Sequence, residues 1–200
     1  MKLTIYSVLF ALAAAAGVSA QEGSHLTFQV GAGFTDGVGR TGSYLDSGWN
    51  ISYGVGYNFN PYLGALIDIS DNGLGINSAT LTRIGGSGGD VNLFTATLDP
   101  IVHLNPHGHV DVYITGGGGL FHQKQAFSSD PFFDLSPAAI PSTQIPGSYS
   151  TNRPGIDGGV GIAIGTKWHG KLFAEARYDR MFYSSNFHTD YLPVTFGYRW

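Results

Sequence analysis

The sequence predicts an all-β protein, an eight-stranded antiparallel up-and-down barrel that crosses a membrane with its strands. Three observations predict it. Apolar residues alternate with small or polar ones over eight segments, the pattern of a strand with one face in oil and one in a polar space. The connections alternate strictly between short and long. The last ten residues place Leu192, Val194, Phe196, Tyr198 and Trp200 on one face, with Thr195, Gly197 and Arg199 on the other. In a soluble sheet such an uncapped apolar strand is an aggregation-prone edge. In a transmembrane barrel the first strand closes it.

The N-terminus fits export. Lys2 precedes an apolar run from Leu3 to Gly17, and Val18-Ser19-Ala20 offers a small residue at the end. This is the pattern of a signal peptide over 1–20, cut after Ala20, with the barrel domain over 21–200. The run is too short for a comfortable membrane helix, and no later segment reaches ~20 apolar residues.

Composition agrees. Charged residues make up 12% of the chain, about half the usual share of a soluble domain. The chain has 30 glycines, 14% aromatic residues and no cysteine. Thiol chemistry, disulfides and Cys-bound zinc are therefore excluded. Without Lys2, nine basic residues face fourteen acidic ones, a net charge of −5. That balance gives no basis for nucleic-acid binding.

The strands follow in order. The first, 25–34, sends Leu26, Phe28, Val30, Ala32 and Phe34 outward. The second, 48–59, has the cleanest alternation: Trp49, Ile51, Tyr53, Val55, Tyr57 and Phe59 against Asn50, Ser52, Gly54, Gly56 and Asn58. The third, 62–70, turns Asp68 inward. The fourth, 91–104, turns Thr95, Thr97, Asp99 and His103 inward. Pro100 cannot donate to a ladder, so a bulge or an unpaired position is expected there. The fifth, 109–121, has Asp111, Tyr113 and Thr115 inside and runs through Gly116–119. The sixth, 155–165, has Gly159, Gly161, Ala163 and Gly165 inside. The seventh, 171–178, has Phe173, Glu175 and Arg177 inside. The eighth is the terminal strand.

Three connections are short (60–61, 105–108 and 168–170) and four are longer (35–47, 71–90, 122–154 and 179–190). Three periplasmic turns and four outside loops are what an eight-stranded barrel with both ends in the periplasm requires.

The terminal strand, with Phe196, Tyr198 and Trp200, resembles the last strand of bacterial outer-membrane barrels. The stretch Leu172-Phe-Ala-Glu-Ala-Arg-Tyr178 resembles their penultimate strand. The chain is thus similar, over nearly all its length after residue 20, to the small outer-membrane β-barrel superfamily of OmpA/OmpX type. The resemblance implies a location in the Gram-negative outer membrane, contact with lipid and lipopolysaccharide, and recognition of the terminal strand by the barrel-insertion machinery. That superfamily contains adhesins, complement-evasion proteins, small porin-like channels and a few lipid A enzymes. Resemblance therefore implies a fold more than an activity.

An eight-stranded barrel is just wide enough to be filled by its own side chains. The inward charges Asp68, Asp99, His103, Asp111, Glu175, Arg177 and Arg199 are then expected to pair, because an isolated buried charge is costly. Register places Arg199 near Glu175. Asp99 and Asp111, on adjacent strands, call for a neighbouring arginine or a shared proton. This suggests a plugged structural core; a narrow conducting pore is the alternative use of the same residues.

No cofactor is called for and no catalytic residue is assigned. His103, His107 and His109 cluster at one turn, where a metal site or simply a polar turn fits the spacing. His122 and His188 lie toward the outer rim, where Ser128 or Ser184 would be the serine partners in a lipid A-modifying enzyme. The local pattern of such an enzyme is missing. The glycine runs lack the Lys-Ser/Thr of a phosphate loop.

The third outside loop carries Phe132, Phe133 and Leu135 between prolines. These side chains either form a binding surface for an extracellular ligand or fold back over the rim. Aromatic belts are expected at both interfaces. The periplasmic one comprises Tyr57, Phe59, Tyr62, Trp168, Tyr198 and Trp200. The outer one comprises Phe34, Trp49, Tyr178, Phe182 and Tyr191. The function expected is that of a non-enzymatic envelope or surface-contact protein.

Overall fold

Period-two side chains let a single strand face lipid and lumen at once, and hydrogen bonding in a ring removes the free edges that hydrocarbon will not tolerate. The computed structural model describes residues 25–84, 88–127, 148–167, 170–184 and 187–200. They form eight strands: β1 (Leu26–Gly37), β2 (Gly48–Asn58), β3 (Leu63–Gly75), β4 (Gly89–His103), β5 (Val110–Phe127), β6 (Ser148–Gly165), β7 (Lys171–Ser184) and β8 (Phe187–Arg199). Each pairs antiparallel with its neighbours, and β8 returns to β1 in a closed barrel. The seam is continuous from Gln29↔Arg199 to Gly37↔Tyr191. Trp200 extends it by exchanging backbone hydrogen bonds of 2.8 and 2.9 Å with Phe28.

The alternation holds. Outward residues such as Val55, Ile67, Leu98, Ile114, Val160 and Phe196 are exposed, while their neighbours in sequence face the lumen. The ladder between β4 and β5 keeps its register but skips Asp99 and Pro100, passing from Leu98↔Gly118 to Ile101↔Thr115. This is the unpaired position expected at Pro100. The β7–β8 ladder behaves the same way at Pro193, passing from Ala176↔Val194 to Asp179↔Tyr191. A proline is accommodated where its missing N–H would have donated.

The strands run farther on the loop side than the sequence suggests. β5 and β6 each have 18 residues. That is roughly 60 Å of strand and about 45 Å along the axis at a tilt of ~40°, against an apolar band of about 25 Å. The fourth outside loop, expected over 179–190, is almost wholly strand. β7 continues to Ser184 and β8 begins at Phe187. Above the bilayer the outward face turns polar, so apolar alternation fades while the hydrogen-bond ladder continues. The second outside connection contains a helix, α1 (Ser78–Ile84), that the loop expectation missed. Asn77 starts it, its side-chain oxygen accepting from Thr80 N at 2.8 Å.

Small inward residues make room for large ones. A Cβ on Gly161 would lie 2.2 Å from Tyr113 Cζ, one on Gly117 2.6 Å from Asp99 Oδ1, and one on Gly159 3.1 Å from Arg177 Cα. These strands can carry no side chain at the points where the lumen's largest groups cross. Gly161→Ala is therefore expected to cost about 1–3 kcal/mol by forcing Tyr113 aside. Gly165→Ala, whose Cβ would meet nothing within 4 Å, should stay within about 0.5 kcal/mol. Urea unfolding of the two variants in lipid vesicles checks this pair.

Candidate functional site

The lumen is layered along the barrel axis. Nearest the short turns, Leu66, Ile101, Tyr113, Ala163 and Phe173 form one buried apolar cluster. Toward the outside, Leu74, Leu93, Phe121, Met181 and Tyr191 form a second. Between them lies an ionic layer centred on Arg177.

Strand β7 supplies Glu175, Arg177 and Asp179 on one face, so the guanidinium projects across the barrel. Arg177 Nη1 donates to Asp99 Oδ2 at 2.8 Å, and Nη2 donates to Glu175 Oε1 at 2.8 Å. The same Nη1 lies 3.6 Å from Asp68 and 3.7 Å from Asp157. Thr97 donates to Asp99 at 2.9 Å. Gln29 joins this layer to the next: it donates to Asp68 at 3.0 Å and accepts from Arg199 at 3.0 and 2.7 Å. A neutral belt completes the layer. Thr195 donates to Asn50, Thr35 donates to Asn72, and Asn72 donates to Ser70, at 3.1, 2.6 and 3.0 Å. The void beside Arg177 measures about 20 Å³ and is lined by Asp68, Glu175, Asp179 and Asn72, among others. That is room for about one water molecule.

The structure therefore brings Asp68, Asp99, Glu175 and Arg177 together. Arg199 and Glu175 are not partners, contrary to the register expectation. Glu175 sits opposite Thr195, and Arg199 sits opposite Lys171, two repeats nearer the periplasm. Arg199 instead lies 4.5 Å from the Tyr113 ring centre and 5.3 Å from that of Phe173. Asp99 and Asp111 have separate partners. Asp99 takes Arg177, while Asp111 takes Lys171 Nζ at 3.1 Å and His103 Nδ1 at 2.7 Å. His107 packs edge-on against Tyr62 instead of joining them.

Gln29, Asp157 and Asp179 belong to the lumen and are missing from the sequence-based set. Parity carried the signal: Asp157 shares the face of Gly159, and Asp179 the face of Arg177. Asp179 falls in the span expected as the fourth outside loop. Tyr191, expected in the outer aromatic belt, is 1% exposed and lies in the outer apolar cluster. It has the inward parity of Thr195. Tyr57, Phe59, Tyr62, Phe34, Trp49 and Tyr178 are exposed as belts require. Trp168 lies outside the described residues, as do residues 1–20, Ser128 and the loop residues Phe132, Phe133 and Leu135.

At the outer rim, His122 Nδ1 lies 2.6 Å from Asn152 Oδ1. His188 Nε2 is 3.3 Å from Asp190, which also accepts from Arg180 at 2.8 Å. At the seam, Phe196 points outward, and the Trp200 ring stacks on Phe28 at 6.2 Å.

A closed eight-stranded ring with apolar residues outside, aromatic belts and a filled polar lumen defines an outer-membrane type of β-barrel. The chain belongs to the outer membrane protein beta-barrel domain family, whose model matches residues 8–199. Among solved structures it is similar to Neisserial surface protein A, at 14% identity and a TM-score of 0.59 over 88% of this chain and 96% of that one. A major outer membrane protein from Thermus thermophilus gives 14% identity and a TM-score of 0.58 over 88% and 97%. Ail, the attachment invasion locus protein of Yersinia pestis, gives 18% and 0.50 over 88% and 99% in its complex with a heparin analogue. At these identities the likeness is one of fold. No curated protein matches the chain.

Arg177→Ala leaves several buried carboxyls without their cation and is expected to cost about 3–5 kcal/mol. Arg177→Lys should recover only part of this, because an ammonium cannot serve the Asp99 and Glu175 directions with a planar fork. Urea midpoints of the folded barrel measure both; equal midpoints for wild type and Arg177→Ala would remove Arg177 from its central place.

Proposed function

We propose that this protein is a non-enzymatic outer-membrane barrel that acts through the surface it presents outside the cell, not through its lumen. The observation that carries this reading is the ionic layer sealed between two apolar clusters, with a void of about 20 Å³ at its centre. A hydrated ion or solute needs far more room. The long β5 and β6 support the same reading, since they carry the outside connections well above the bilayer. Two proteins of similar structure, Neisserial surface protein A and the attachment invasion locus protein Ail, accord with it. The exposed belt and wall would contact outer-membrane lipid and lipopolysaccharide. Phe196, Tyr198 and Trp200 would be what the insertion machinery reads. Phe132, Phe133 and Leu135 are candidates for contact with an extracellular ligand.

Two measurements test this. Purified protein in planar bilayers is expected to show no channel events above the lipid baseline; steady single-channel steps would overturn the reading in favour of a narrow pore. Replacing 128–147 with a short Gly-Ser linker is expected to leave the heat-modifiable gel band intact. Adhesion of expressing cells to immobilised host-cell matrix should meanwhile fall severalfold. A shift in lipid A mass on expression, lost with His122→Ala or His188→Ala, would instead establish the enzymatic alternative.

A further inference from the structure

The ionic layer holds more acid than its cation can match. Asp68, Asp99, Asp157, Glu175 and Asp179 face it, and among the described residues Arg177 is the one cation at their level. Three of these acids stand in a row. Asp157 and Asp179 are direct cross-strand partners on the inward faces of β6 and β7, a placement that two like charges disfavour. Asp99, from β4, converges with Asp157 on the same Arg177 Nη1, at 2.8 and 3.7 Å, and lies against Gly117, the cross-strand partner of Asp157. Yet Asp99 Oδ1, both oxygens of Asp157 and Asp179 Oδ1 are buried with no protein donor among the described residues. The side chains of Asp99 and Asp157 are both 0% exposed. Two carboxylates that face each other as acceptors repel unless a proton lies between them.

The remaining groups around the row do not supply that proton. Arg177 is engaged by Asp99 and Glu175. Asp68 on β3 is held by Gln29 of β1. Tyr113 of β5 lies in the apolar cluster nearer the short turns, with Arg199 over its ring at 4.5 Å. Tyr191 of β8 donates to Gln123 at 3.3 Å. Asn50 of β2 is neutral and engaged with Thr195 and Thr35. The apolar clusters on both sides exclude a hydrated counter-ion, and among the described residues no three acid or histidine groups converge as metal ligands do.

We infer that Asp99, Asp157 and Asp179 form a proton-binding row that stays partly protonated in the folded barrel at neutral pH, so that the lumenal plug is a pH-sensitive element. In the unfolded chain the same carboxyls are ionised at neutral pH. The folded state then binds more protons than the unfolded one. By linkage its stability falls as pH rises through the range where the row gives up its protons. This is opposite to the sign expected of surface carboxylates paired with cations.

The test uses the whole barrel refolded in lipid vesicles. Infrared spectra at pH 7 are expected to show the carbonyl stretch of a protonated carboxyl, absent or reduced in Asp157→Asn and Asp179→Asn. The apparent unfolding temperature of the wild type should fall by roughly 5 °C or more between pH 6 and pH 9, and the two variants should flatten that slope. Absence of the protonated band in wild type overturns the inference, as does stability that rises with pH. Restoration of wild-type stability at pH 9 by added Na⁺ or Ca²⁺ would assign the row to a cation instead and also overturn it. Channel events in bilayers would overturn the closed-lumen function while leaving the infrared result standing, so the two failures are distinguishable.

Discussion

Every backbone N–H and C=O inside hydrocarbon needs a partner within the protein, and in this chain the β1–β8 seam meets that requirement. Without it, eight strands would leave two open edges in lipid, each unmet group costing several kcal/mol. The seam pairs nine residues from Gln29↔Arg199 to Gly37↔Tyr191 and continues to Trp200. Once the ring is closed, inside and outside are fixed for every residue by parity. The composition of the two faces follows: branched aliphatics and aromatics where lipid lies, and small, polar and charged residues where it does not.

Closure also sets the size of the interior, and the interior is too narrow for every inward position to be large. Glycine on one strand therefore answers bulk on the next, as Gly161 does for Tyr113 and Gly159 for Arg177. The charges are arranged under the same constraint. They could not be left alone in a space walled by two apolar clusters, so they converge on Arg177 from β3, β4, β6 and β7. Pairing is incomplete, and the surplus of acid over base gives this core a property that an apolar plug would lack. Stability and proton content become linked at the centre of the barrel.

The parts above the membrane obey a looser rule. There the outward face meets water, and strands persist for their hydrogen bonds alone. β5 and β6 illustrate this, running 18 residues each.

Period-two alternation was legible because lipid imposes it along the whole spanning length of each strand. The eight strands and their inward faces followed from it, while the unpaired ladder at Pro100 followed from proline's missing donor. Asp157 and Asp179 carried the same parity signal, yet a lone acid beside glycines or at a strand end resembles a loop residue in one dimension. Aromatic residues favour the interface, which points Tyr191 outward, but its parity points inward and the structure buries it. The strand extensions and α1 lay beyond reach because no apolar pattern marks them. The sequence by itself determined the barrel, its strand number and which face of each strand meets the lumen, because those depend on local periodicity and the need to hide the backbone. Tertiary structure alone decided which charges meet. Strand tilt and register set the height of each residue in the lumen, and a separation of two repeats put Arg199 on Gln29 and left Glu175 to Arg177.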